Sequence, residues 1–373
     1  MQTFRGSRWL LVAGSCAGVL VNSSIGVVAA SVPGAPGCPM LPANSVWHAP
    51  IASLPVHPMS GTWTAAMSAG TKNLHADFGA YPYGEPYIVV DAVHPKVTPQ
   101  FYYSAISDSA PPGAAPGFPS GYPFDAQTPI QAGHDHHAFM VDRDNCYLYE
   151  LFLAQWNNGA PTAGSGAIFD LRSNALRPDG RGSANAAGIA MMPGLVRFDE
   201  VQSGVIDHAL VMTAAHTDRS HIWPARSDAG EAFNHALPPM GARFRLRASF
   251  DTSHFSPSAQ VVLTALKRYG ALLDDNGGPG GDWFFQGTQD PRWTSNFLTE
   301  FRNVPASAME VVDEQSLMID PNSGVVAGAA PSAPTPAPVA VAPTLAPAPT
   351  ATSTSTATPN AAVHAAAPGC AKP

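Results

Sequence analysis

Proline and glycine constrain this chain more than any other feature. The 373 residues include 38 prolines and 33 glycines, roughly a fifth of the total. Proline removes an amide donor and breaks helix interiors, and glycine weakens both helices and strands. A chain punctuated this often accommodates turns and short strands but few long helices. Charged residues make up 12% of it, about half of ordinary usage, and the formal net charge is −8. A nucleic-acid binder would present a basic face to phosphates, so that class is disfavoured. Beyond the first thirty residues no uncharged apolar run reaches the length of a membrane span, which argues against membrane insertion of the mature protein.

The two ends differ from the middle. Arg5 and Arg8 precede an apolar stretch from Trp9, and Val28-Ala29-Ala30 offers small residues for cleavage. Residues 1–30 therefore read as an export signal, and the expected location is extracellular or periplasmic. From Val325 onward the chain carries ten prolines among alanine and threonine, with Lys372 its single charge. That composition cannot bury a core, so 325–373 is expected to be a disordered, extended tail. Of the cysteines left after export, Cys38 and Cys146 suit a disulfide closing a loop of over a hundred residues, while Cys370 lies in the tail.

Residues 38–322 are expected to form one β-rich domain. Strand patterns occur at Tyr87–Asp91, Phe101–Ile106, Ala138–Val141, Cys146–Trp156, Gly166–Leu171, His208–Ala214, Ala242–Ser249, Asp282–Gln286 and Met309–Val312. Asp142-Arg143-Asp144-Asn145 reads as a hairpin turn. In ARFRLRAS the arginines Arg243, Arg245 and Arg247 alternate with apolar residues, which predicts a half-exposed strand. Helices are fewer. Ser60 is expected to cap a short one, Ser256-Pro257 to start the clearest one, ending at Gly270, and Ser295–Arg302 to form a third. The expected class is mainly β with peripheral helices (α+β), as an antiparallel β-sandwich or barrel.

Three groups of residues carry candidate chemistry. His134-x-His136 would place two imidazoles on one face of an extended chain, the start of a metal site. Glu150 sits among Leu148, Phe152 and Trp156 on one strand face, where desolvation would raise its pKa and suit a general acid. Asp170 follows on the next strand, and the two carboxylates together would form a glycosidase pair. Asp199 and Glu200 are further candidates, although the first turn of a helix also explains them. Trp156, Trp223 and Trp283 with Arg172 are candidate substrate contacts, and Tyr81, Tyr83, Tyr102 and Tyr103 offer further faces for sugar rings.

The runs HAFMVDRDNCYLYELF, AGSGAIFDLRSNALRP, AAGIAMMPGLVRFDEV, LPPMGARFRLRASFD and ALKRYGALLDDNGG resemble a group of uncharacterised secreted bacterial proteins. The resemblance spans roughly 38–322. It implies one exported domain and transfers no catalytic residue. The residues themselves point to extracellular polysaccharide as the partner and to a glycoside hydrolase that needs no cofactor. The alternatives are a non-enzymatic carbohydrate-binding or cell-surface protein, and a metal-dependent enzyme built on the histidines.

Overall fold

A computed structural model describes residues 31–114, 116–230 and 233–327. The expected export signal over residues 1–30, Cys370 and nearly all of the expected tail lie outside the described residues. The described part is mainly β, with few short helices. Its largest sheet has six strands in the order Met309–Val312, Arg243–Leu246, Ala271–Asn276, Leu210–Ala214, Phe284–Gln286 and His75–Asp77. A second sheet orders Ser165–Asp170, Tyr147–Phe152, Ala138–Asp142 and Tyr87–Val90. Smaller sheets join Ser31–Val32 to Ala35–Pro39, and Gln100–Phe101 through Ala160–Ala163 to Gln155–Asn157.

The two larger sheets share one core. Phe139, Val141 and Leu148 from the smaller sheet pack in the same cluster as Leu210, Leu272 and Phe285 from the larger. The opposite face of the four-stranded sheet packs Met140, Tyr149, Leu151 and Ile168 in a separate cluster with Tyr122 and Phe124. Burial on both faces explains why Ala138–Asp142 is buried at every position and reads as an apolar run without alternation. The sandwich-like, mainly β expectation holds, but no barrel closes. The sheets are open and mixed. Tyr87–Val90 runs parallel to Ala138–Asp142, and Leu210–Ala214 parallel to Ala271–Asn276.

Several local expectations are corrected. Phe101–Ile106 is not one strand: pairing stops at Phe101, and Ser104–Ile106 is a 3-10 turn. Ser60 does not cap its helix but is the first residue of Ser60–Ala66, and its Oγ accepts from the Val311 amide at 2.8 Å. Arg243 is fully buried rather than half-exposed. Its guanidinium donates to the carbonyls of Val46, Ala49 and Tyr269 and to Glu314. The strand Ala271–Asn276 was not expected at all, although it sits inside the six-stranded sheet.

The expected helix is present at Pro257–Arg268, with the Ser256 Oγ accepting from the Ala259 amide. Gly270 ends it at φ +70, where a Cβ would fall 2.4 Å from the Phe244 carbonyl oxygen. The Cys38–Cys146 disulfide forms across a sequence separation of 108. A closed loop of that length stabilises by about 4–5 kcal/mol in the chain-entropy model. Replacing both cysteines by serine should lower the folding stability by about that amount, read as a fall in the denaturant midpoint with a steeper slope, because the unfolded chain loses its cross-link and expands.

Candidate functional site: a carboxylate layer between the sheets

The strand Tyr147–Phe152 turns Leu148 and Glu150 toward the core shared by the two sheets. Glu150 is thus a carboxyl group with no exposed surface. Its Oε1 accepts from the Met191 and Met192 amides, each at 2.9 Å, and Oε2 accepts from Met191 at 3.1 Å. Burial pushes its pKa up to about 7, with the two amides pulling against the shift.

His137 stands beside it. Its Nδ1 lies 3.3 Å from Glu85 and its Nε2 lies 3.2 Å from the Ala184 carbonyl oxygen. Both ring nitrogens face acceptors, so both carry hydrogen. Burial opposes the charged ring, but the charge and hydrogen bond of Glu85 outweigh it and raise the pKa to about 9. Glu85 also accepts from Gln131 Nε2 at 2.7 Å.

The six-stranded sheet supplies the facing acids. Its register with Leu210–Ala214 pairs Met212 with Leu273 and Thr213 with Asp275, leaving Asp274 as an extra residue. Such a bulge re-aims side chains. Asp274 is fully buried. Its Oδ2 accepts from Asn185 Nδ2 at 3.1 Å, and its Oδ1 has no partner. Burial holds its pKa well above the carboxylate range. Asp275 is half-buried and accepts from the Asn276 amide at 2.6 Å and the Ala186 amide at 3.3 Å. Burial raises it to about 6.

Asp77 and Asp135 complete the layer at its exposed rim. Asp77 reaches solvent, yet the protein packed around it still disfavours its charged form. Its pKa is raised by that desolvation, with His75 opposing and Asp135 adding to the shift. Elsewhere the protein compensates its buried acids with cations: Asp108 with Arg177, Glu200 with Arg197, and Glu314 with Arg243. Among the described residues none of Asp77, Asp135, Glu150, Asp274 or Asp275 has a lysine or arginine ion partner.

Of the residues expected from sequence, only Glu150 falls in this layer. Asp170 does not join it. The strands pair as expected, but Glu150 lies opposite Ala167 while Asp170 lies opposite Tyr147, so the two carboxylates occupy opposite faces of the sheet. Asp170 instead accepts from the Arg172 amide, and Arg172 is exposed and donates to the Asp144 carbonyl oxygen. Asp199 is exposed and paired with Arg292 at 2.7 Å. Glu200 is held by Arg197 and by His208 at 3.3 Å, and these outweigh burial to lower its pKa.

The tryptophans also separate. Trp283 is a core residue, its Nε1 donating to the Met67 carbonyl oxygen at 2.7 Å. Trp156 packs edge-on against Phe124, and Trp223 lines an open groove. His134 and His136 sit in a turn rather than an extended strand, with His136 at φ +45. Among the described residues no group of three or more His, Cys, Asp or Glu is arranged to hold a metal ion.

Sequence reasoning missed Asp77, Glu85, Asp135, His137, Asp274 and Asp275. The local signals were the polar cluster Gly133-His134-Asp135-His136-His137, which holds Asp135 and the buried His137, and two successive aspartates directly after the apolar Ala271-Leu272-Leu273. No family model, curated protein or solved structure matches the chain.

The layer fixes the sign of a pH effect. The folded protein holds protons that the unfolded chain releases, on Glu150 between its ordinary value and about 7 and on Asp275 up to about 6. His137 keeps its proton up to about 9. All three make stability fall as pH rises across those intervals. The thermal midpoint should therefore decline from mildly acidic to alkaline pH. Glu150→Gln should flatten the part below about pH 7, removing a penalty of about 3 kcal/mol.

Proposed function

We propose that the protein hydrolyses glycosidic bonds in neutral extracellular polysaccharide, using the rim carboxylates of the layer. The observation that carries this reading is three solvent-reaching acids without cationic partners, two of them with raised pKa values. Asp275, raised to about 6, suits the general acid that delivers a proton to the leaving glycosidic oxygen. Asp77 and Asp135 are the companion carboxylates, one of which activates water or attacks the anomeric carbon. Glu150 and Asp274 are too deep to touch substrate and act through the electrostatics of the layer.

Exposed aromatic faces support a sugar ligand. Tyr81, Tyr83, Tyr102 and Tyr103 are among the most exposed large side chains, from 46% to 81%. The Tyr83 ring lies beside Gly79, two residues beyond Asp77. Tyr102 shares a shallow recess with Leu153, whose amide donates to the Asp135 carbonyl oxygen. Exposed rings thus belong to segments next to those that carry Asp77 and Asp135, and pyranose faces stack on such rings. The acidic rim would repel polyanionic chains, which favours neutral ones. The disulfide suits an oxidising, extracellular or periplasmic location, and no helix among the described residues is long and apolar enough to cross a membrane.

The exposed tyrosines also favour a second reading, a binding protein without turnover. The test is release of reducing ends from a panel of neutral and anionic glycans, with and without a chelator. Chelator-resistant release from neutral glycans is expected, and Asp275→Asn should lower kcat by about a thousandfold or more, a usual cost of losing a general acid. Full turnover in the Asp77→Asn, Asp135→Asn and Asp275→Asn variants would end the proposal. Retention on glycan without any release would favour the binding reading, and chelator-sensitive release a metal-dependent enzyme.

A further inference from the structure

One short segment touches His137, Glu150, Asp274 and Asp275 together. Residues 183–192 lie in the long connection between the strands Ser165–Asp170 and Leu210–Ala214. The Ala184 carbonyl oxygen lies 3.2 Å from His137 Nε2. Asn185 Nδ2 donates to Asp274 Oδ2 at 3.1 Å, and the Ala187 amide donates to the Asp274 carbonyl oxygen at 2.8 Å. The Ala186 amide donates to Asp275 Oδ2 at 3.3 Å, and the Met191 and Met192 amides hold Glu150. In this segment every residue is buried except Ala186, which is half-buried. Asp275 is half-buried as well. The amide and the carboxyl therefore meet where the layer opens to solvent.

Asn185 shapes the segment. It is 4% exposed. Its Oδ1 accepts from Ser183 Oγ at 2.8 Å and from the Ile189 amide at 3.3 Å, which closes the segment on itself. Its Nδ2 ties that closed turn to Asp274, the chain neighbour of Asp275. An alanine at this position would lose three hydrogen bonds at once, and the Ala186 amide would lose the support that places it on Asp275.

The amide matters at the moment of proton transfer. Asp275 Oδ1 accepts from the Asn276 amide at 2.6 Å and Oδ2 from the Ala186 amide. Asn276 is the next residue, so chain connectivity brings its amide near. Ala186 comes from a distant part of the chain, and only tertiary structure can place it. In the hydrolytic step the bond between the anomeric carbon and the glycosidic oxygen breaks. Its electron pair stays on the leaving oxygen, which takes the Asp275 proton. The electron pair of the Asp275 O–H bond stays behind as carboxylate charge. A hydrogen bond to a carboxyl group strengthens as that charge develops. A donor already in place thus stabilises the transition state more than the resting acid, and acts on kcat. His137 and Asp135 act on the same carboxyl in opposite directions, and Asp274 lies beside it.

We propose that Asn185 is a positioning residue for the general acid: it fixes the 183–192 segment so that the Ala186 amide receives the charge Asp275 acquires on giving up its proton. The proposal rests on the reading of Asp275 as that acid.

The first test is made on the parent chain. The Ala186 amide resonance, seen with ¹⁵N-alanine labelling and assigned by its loss in Ala186→Gly, is followed against pH. It should move downfield with the same midpoint as the Asp275 side-chain carboxyl carbon, which is assigned by its loss in Asp275→Asn. In Asn185→Ala the Asp275 midpoint should rise by about one pH unit, roughly the worth of one amide donor to a carboxylate. On a glycan that the parent cleaves, kcat should fall by about tenfold with KM nearly unchanged. Ser183→Ala, which removes one donor to Asn185 Oδ1, should move both readings the same way by less. A merely structural role would lower the thermal midpoint and leave Asp275 titrating as in the parent. The proposal is overturned if the Ala186 amide does not follow the Asp275 titration in the parent. It is also overturned if folded Asn185→Ala leaves the Asp275 midpoint unmoved, or raises KM with kcat intact. If Asn185→Ala fails to fold, the parent titration and Ser183→Ala decide the matter. If the parent cleaves no glycan, the hydrolase reading fails by itself, and the titrations still decide whether Asn185 places the amide.

Discussion

The contact between Glu150 and the amides of Met191 and Met192 ties the two large sheets together. Glu150 belongs to the four-stranded sheet. The turn Met192–Gly194 that it holds packs on the six-stranded sheet so closely that a Cβ on Gly194 would fall 2.6 Å from Val211 Cγ1. One carboxyl group therefore satisfies two backbone donors that would otherwise be stranded inside a core. The same placement denies that carboxyl its water, and the raised pKa is the electrostatic record of it. Position and ionisation have a single cause.

The protein handles buried charge in two ways. Arg243, Arg197 and Arg177 each carry a carboxylate partner together with three, two and one backbone carbonyl acceptors respectively, the arrangement that makes a buried ion tolerable. In the carboxylate layer the acids are left to one another, to amides and to one imidazole. An arrangement that raises carboxyl pKa values costs stability at neutral pH. Such clusters are characteristic of sites whose protonation matters to chemistry.

The sequence made the strand content, the principal helix and the disulfide legible because each rests on local rules. Ser256-Pro257 and Gly270 bracket a helix by capping and positive φ, and the paired cysteines follow from composition and compartment. The identity of Glu150 as a desolvated acid was also readable, since a glutamate alternating with Leu148 and Phe152 has one environment available to it. Its partner was not. Whether Asp170 shares its face depends on strand register, and a shift of one residue reverses the answer. Asp274 and Asp275 were hidden for a related reason. The strand that carries them follows a helix with little turn between, and a bulge breaks the alternation that would have announced it. Asp77 and Asp135 come from a three-residue strand and a turn, which have no pattern to detect.

The six-stranded sheet has a consequence for how the molecule is made. Its two edges are His75–Asp77 and Met309–Val312, the earliest and latest of its strands in chain order. Asp77 docks on Phe284–Gln286 and so waits for residues synthesised long after it. Closing loops of that span before their contacts repay the entropy makes assembly slow. A chain released before its last strand would lack an edge of the sheet, along with the Glu310 and Glu314 carboxylates that neutralise Arg245 and Arg243. The acids of the layer meet only once the strand Phe284–Gln286 has been made to receive Asp77, so the layer is assembled late and not piece by piece.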